Sequence, residues 1–233
     1  MNIIKTKTYQ CSYIKNKIAK VELAQSPVEI SQKKFSFLMA SGFRRSGSHT
    51  YRPICKNCSK CIPIRIPTQQ FSPNRTQRKT FKNLKSNLTA KYSPLEYSEN
   101  AFLLFENYQR IRHPETFKAS NSRDLFENVL LKSCTESELV YFFDKSDQLK
   151  LVSVIDVLTD GFSSVYTFYD TNESRHSLGT YSILWQLEEC KLRGKKYLYL
   201  GYLIKECGRM QYKTKFRPCE VFLNNEWVRF DGH

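Results

Sequence analysis

The sequence predicts an α+β protein, and three observations lead there. Amphipathic helical patterns and β-rich runs follow one another irregularly; three β-rich runs then come in succession; and one more helical pattern separates these from a final apolar strand. Charge divides the chain unevenly. Residues 1–95 carry 19 basic and 2 acidic side chains, residues 96–233 carry 18 and 20, and the whole chain has a formal charge of +15. The domain reading is a small basic, cysteine-containing N-terminal domain over 1–75, a basic linker or helix over 76–95, and a larger domain over 96–233. A cationic unit of that density suits a polyanion, with nucleic acid ahead of an anionic membrane.

Residues 1–70 read as short strands and turns. Pro53, Pro63 and Pro67 punctuate them, and Ile62, Ile64 and Ile66 alternate with the period of a strand. After Pro73, Arg75, Arg78, Lys79, Lys82 and Lys85 recur at three- and four-residue steps, which places them on one basic face of a helix. Ser98 is the expected N-cap of a helix with apolar positions at 102, 105, 108 and 111, ended by Pro114. "SRDLFENVLLKS" reads as a second, short helix. "ELVYFFD", "LKLVSVIDVL" and "FSSVYTFYD" are successive strands, the first two joined by a turn over Lys145 to Asp147. A helix then starts near Ser177 and stops before Gly194, and "KKYLYLGY" is a buried strand. The N-terminus has no apolar signal region, and no run of eighteen apolar residues occurs. The expectation is therefore a soluble, cytoplasmic protein without a membrane partner.

Four constellations bear chemistry. Cys55, Cys58 and Cys61, with Cys11 as a distant fourth, supply enough thiolates for zinc or an iron–sulfur cluster, and equally suit a redox centre or plain packing. Around Ser177 and Gly179 a strand-to-helix loop presents unpaired N–H groups that suit a phosphate or a developing oxyanion. This loop resembles the cofactor loop of the acetyl-CoA-binding GNAT transferases, R/Q-x-x-G-x-G/A counted from Arg175, except that Leu178 stands at the first glycine position. On the β-rich runs, Tyr166 and Tyr169 are candidates to line a site. Asp156, flanked by Ile155 and Val157, is costly to bury alone and so is a candidate partner for a cationic amine. Finally, Lys205, Arg209, Lys213, Lys215 and Arg217 crowd the segment after the last central strand.

Taken together, "FRRSGSHTYRPICKNCSKCIPIRIPTQQFSPNRTQRK", "DVLTDGFSSVYTFYD", "SLGTYSILW" and "LGYLIKECGRMQYKTKFRP" closely resemble the aspartate/glutamate leucyltransferase family of bacteria, relatives of the arginyl-tRNA–protein transferases. The resemblance spans almost the whole chain. It implies a GNAT-like catalytic domain, Leu-tRNA as donor, acceptor proteins beginning with Asp or Glu, and a mark for N-degron proteolysis. No cofactor is required by that chemistry, with zinc or an iron–sulfur cluster on Cys11, Cys55, Cys58 and Cys61 left open. On this reading Arg75, Arg78, Lys79 and Lys82 contact tRNA. Arg175, Ser177 and Gly179 sit near the aminoacyl-adenosine end. Asp156, Tyr166 and Tyr169 hold the aminoacyl group or the attacking amine, with Asp156 the leading general base, and Lys205, Tyr212 and Lys213 contact phosphate or relay a proton. Departures include Ile14 where arginyltransferases carry a second cysteine after Cys11, and Thr171 in place of a proline. The rivals are arginyl transfer, a non-catalytic zinc-ribbon nucleic-acid-binding protein and a coenzyme-A acetyltransferase.

Overall fold

The computed structural model describes residues 2–26, 30–172 and 177–231. Its first part runs β1 (Asn2–Lys5), β2 (Tyr9–Gln10), β3 (Ile18–Ala19), β4 (Val21–Gln25), α1 (Gln32–Ala40), β5 (Arg44–Ser46) and β6 (His49–Pro53). Strands β1, β4, β6 and β5 form an antiparallel sheet in that order, and β2 and β3 pair as a short ribbon. Ser31 begins α1 by accepting a hydrogen bond from the Lys34 N–H, and the helix buries Phe35, Leu38 and Met39.

The chain continues with β7 (Ile62–Pro67), α2 (Arg75–Lys85), β8 (Thr89–Ser93), α3 (Glu99–Arg112), α4 (Pro114–Ala119), α5 (Ser122–Asp124) and a π-helical turn (Leu125–Leu130). It closes with β9 (Ser137–Phe143), β10 (Leu149–Val157), β11 (Gly161–Tyr169), α6 (Leu178–Leu192), β12 (Tyr197–Leu203), a 3₁₀ segment (Gly208–Lys215), β13 (Glu220–Leu223) and β14 (Glu226–Arg229). Among the described residues eight of these strands make one sheet, in the order β14-β13-β7-β12-β11-β10-β9-β8. Its pairings are antiparallel except β11 with β12, which run parallel because α6 carries the chain back across the sheet.

The helix ends follow their sequence signals. Ser98 caps α3 through the Ala101 N–H, and α6 gives way to Gly194 at φ +65°. Asn74 and Gln77 form a reciprocal capping box on α2, satisfying two otherwise unpaired N–H groups.

Strands from either side of residue 75 share one sheet. β7 lies between β13 and β12 inside the large sheet, with Ile64 and Ile66 in its core. The segment expected as a basic linker or helix carries α2 and is a layer of the structure. α2 packs on α6, with the Phe81 and Tyr181 rings 5.7 Å apart, and Gln77 donates to the Lys215 carbonyl at 3.0 Å. The physical reason is that a charge asymmetry reports on surfaces, whereas sheet membership is decided by which apolar strands can be covered on both faces.

Helices α2 and α6 cover one face of the sheet, over Phe142, Leu151, Ile155 and Phe162; α3 and the π-helical turn cover the other, over Leu139, Val152, Val154 and Phe168. Strand β10 is therefore buried on both sides, and Asp156 near its end is fully buried. Its carboxylate accepts from Arg45 Nε at 2.7 Å and from Ser137 Oγ at 2.7 Å. Arg45, itself fully buried, also donates to the carbonyls of Gly47 and Lys132. Removing one member of a buried pair leaves the other charge stranded in a medium that solvates it poorly. Replacing Asp156 by Ala should lower folding stability by about 3–5 kcal/mol, read as a fall in the urea midpoint; a loss below about 1 kcal/mol contradicts the buried ion pair as a structural staple.

Candidate functional site

Strands β11 and β12 pair only over Gly161–Ser163 and Tyr197–Tyr199 and then part. Both are irregular where they do so. β11 slips by one residue against β10 around Val165, and β12 slips against β7 between Tyr199 and Tyr202, where Gly201 takes φ +73°. A cleft of about 810 Å³ opens in the gap. Its walls come from Ser164 to Thr167 on β11, the start of α6, the last turns of α3 and the segment from Cys207 to Lys213, while Ser12, Tyr13 and Arg44 enter from the N-terminal part.

Arg44 crosses the gap. Its Nη2 donates to the Ser164 carbonyl at 3.2 Å and to that of Val165, tying the irregular stretch of β11 to β5. A Cβ on residue 201 would lie 1.3 Å from Arg44 Nη1, so a side chain there would displace the Arg44 guanidinium and strain the left-handed φ.

Six of the sequence-predicted residues meet in the cleft: Tyr166, Tyr169, Ser177, Gly179, Tyr212 and Lys213. The Tyr166 hydroxyl accepts from Gln109 Nε2 at 2.8 Å. The Tyr169 ring packs edge-on to Tyr108 at 5.0 Å and lies close against Gly179, where a Cβ would meet it at 3.3 Å. Burial raises the Tyr108, Tyr166 and Tyr212 phenols, which therefore stay protonated donors. Lys213 is buried and donates Nζ to the Tyr202 carbonyl. Burial first, and then the Arg44 charge, bring its pKa down to about 7. At neutral pH a large fraction of this amine therefore has a free lone pair.

The other expected residues lie elsewhere. Asp156 does not line the cleft. Its burial raises its pKa, Arg45 and Ser137 oppose that rise, and its cationic partner is the internal Arg45 rather than the amine expected of it. Lys205 is exposed outside the cleft lining, 5.7 Å from the Phe230 ring. Arg175 lies outside the described residues. Arg75, Arg78, Lys79 and Lys82 are exposed on α2, whose other side buries Gln77 and Leu84. Cys11, Cys55, Cys58 and Cys61 are free, half-buried thiols. Burial and then the other three thiols push Cys61 up to about 12, so the four share one neighbourhood. Among the described residues no three His, Cys, Asp or Glu side chains are arranged to hold a metal.

Several cleft residues escape the sequence reading: Arg44, Gln109, Arg112 and His113. Their signal was faint. Arg44 stands beside Arg45 in "FRRSG", and "QRIRHP" closes a helix with an imidazole against a proline. Among the described residues lining the cleft there is no Asp or Glu, while Arg44, Arg112, Arg209 and Lys213 are all present.

A sheet whose parallel pair parts over a cleft, with a helix starting at its mouth, is a mixed α/β fold. The crystal structure of FemX shares it: a TM-score of 0.52 at 9% identity, over 90% of this chain and 85% of that one. L-PGS from Bacillus licheniformis gives a TM-score of 0.50 at 10% identity, over 72% and 58%. Family models described as arginine-tRNA-protein transferase, N terminus and C terminus, match residues 9–79 and 100–223. The chain belongs to that family of aminoacyltransferases. It is 40% identical over 222 residues to the aspartate/glutamate leucyltransferase of Chromobacterium violaceum, covering 95% of this chain and 91% of that one. It is 40% identical over 225 residues to that of Pseudomonas fluorescens, covering 96% and 94%. Among the described residues no helix is long and apolar enough to cross a membrane.

Proposed function

We propose that this chain transfers leucine from Leu-tRNA to the α-amine of proteins beginning with Asp or Glu, in the cytoplasm, marking them for N-degron proteolysis. The observation that carries the reading is the cationic cleft with no carboxylate among its described lining residues, which suits a polyanionic donor and an acidic acceptor alike. The relatives' names supply the amino acid and the acceptor rule.

The reaction is aminolysis of an ester. The acceptor's α-amine attacks the leucyl carbonyl carbon, a C–N bond forms, the carbonyl oxygen takes the electron pair, and the bond to the ribose oxygen then breaks. The amine loses a proton and the ribose oxygen gains one. An aminoacyl ester is already activated, so the protein chiefly aligns the two substrates and stabilises charge, and the chemistry calls for no cofactor. Lys213 is the side chain we place at the proton, since its pKa of about 7 lets it take one from the amine and give one to the leaving oxygen. The N–H groups at the start of α6, beside Ser177 and Gly179, face the developing oxyanion. Exposed Arg75, Arg78, Lys79 and Lys82 hold donor phosphates outside the cleft.

The direct test supplies labelled Leu-tRNA and Arg-tRNA to the purified chain with peptides beginning Asp, Glu, Lys or Ala. Leucine should appear on the Asp and Glu peptides alone. Arginine in its place reassigns the donor, and transfer of neither removes the activity.

A second expectation concerns pH. Lys213 is a base only when deprotonated, so turnover should rise through about pH 7. Arginine stays protonated throughout. Lys213→Arg should therefore lose that limb of the kcat profile, while the acceptor amine's own limb, near pH 7.7–8.0 for a free α-amine, persists in kcat/KM. An unchanged kcat profile in Lys213→Arg assigns the proton transfer elsewhere.

A further inference from the structure

One cluster in the cleft has no task in the reaction as written. Arg112 ends α3, His113 caps it, and Arg209 faces them from the 3₁₀ segment. Arg209 Nη1 lies 3.1 Å from His113 Nδ1. A guanidinium can only donate, so Nδ1 accepts and the neutral ring carries its proton on Nε2. Burial and the charges of Arg209 and Arg112 both lower the His113 pKa, which favours that neutral form. Arg112 lies 5.8 Å from the Tyr169 ring, and Arg209 acts electrostatically on Tyr166, so the cluster adjoins the aromatic wall of the cleft. Neither arginine has a carboxylate partner among the described residues.

An acceptor's N-terminal Asp or Glu carries its side-chain carboxylate only one or two methylenes beyond the carbon that bears the attacking amine. The group that reads it must therefore line the same cleft as the reacting carbonyl, whereas donor phosphates can be held far away. The basic face of α2 does not line the cleft. Of the four cations among the cleft's described lining residues, Arg44 is engaged with the β11 carbonyls and Lys213 with the Tyr202 carbonyl. Arg112 and Arg209 are left.

We infer that Arg112 and Arg209, the latter aimed by His113, form the subsite that takes the side-chain carboxylate of the acceptor's N-terminal residue. Two guanidinium groups offer forked donors to a planar carboxylate, and the imidazole holds one fork in place before the acceptor arrives. An amide side chain of the same shape receives no charge-assisted bonds, so the subsite separates Asp from Asn and Glu from Gln. The inference rests on the reading of the chain as a transferase for acidic N-termini, and its test separates the two.

Fluorescent peptides beginning Asp, Glu, Asn or Gln would be titrated against the full chain by anisotropy, which needs no transfer, and then used as acceptors at saturating Leu-tRNA. Arg112→Gln and Arg209→Gln should each weaken binding of the acidic peptides roughly 10-fold and the double variant roughly 100-fold. Binding of the amide peptides and KM for Leu-tRNA should stay within about twofold, since neither uses the fork. A merely structural role would change all peptides together and leave the acid-to-amide ratio intact, which overturns the subsite. A raised KM for Leu-tRNA with an unchanged ratio overturns it too, and moves the pair to the donor's phosphates. Loss of the ratio in the variants, with wild-type chain that binds acidic peptides but transfers no leucine, upholds the subsite and sinks the activity instead.

Discussion

Everything about the site depends on Arg44 lying across the gap between β11 and β12. Parallel strands that stop pairing leave carbonyls without partners, and such groups are costly to strand in a protein interior. Arg44 answers that cost with a guanidinium, and Gly201 leaves the room for it. Its neighbour Arg45 enters the protein interior instead and meets Asp156. Two consecutive residues of the three-residue β5 thus hold the N-terminal sheet to the large sheet, one through a buried ion pair and one through the cleft. The first part of the chain is in this sense part of the site's wall.

The same arginine acts on Lys213. Burial first, and then this fixed positive charge, make the charged lysine less favourable, in a cleft whose described lining holds no carboxylate. Low local dielectric strengthens each of these effects, and the protonated tyrosines around the cleft offer donors without adding negative charge. A cleft of this character suits anionic ligands, by long-range attraction and by short, directed hydrogen bonds.

Much of this was legible in the sequence where the signal is local. Ser98, Gly194 and the basic steps after Pro73 marked helix ends and a helix face, because caps and periodicity act over a few residues. Tyr166, Tyr169, Ser177, Gly179, Tyr212 and Lys213 were gathered by their motifs into what proves to be one cleft. Asp156 shows the opposite case. Its cost of burial was readable, yet its partner Arg45 lies 111 residues earlier and nothing local names it. Arg44 was hidden for the same reason: its place is set by Gly201 and by a slip in two strands, neither of which has a local pattern. Charge counting does not report sheet membership: β7 carries Ile64 and Ile66 into the core of the large sheet while its neighbours stay basic.

The central claim is that the aminoacyl end of the donor sits where β11 and β12 part. A crystal structure with a non-reactive amide analogue of leucyl-adenosine tests it most directly. The account predicts the leucyl carbonyl in that gap, between the start of α6 and Lys213, with Arg44 still on the Ser164 carbonyl. An analogue bound elsewhere, or one that displaces Arg44 from β11, would contradict it.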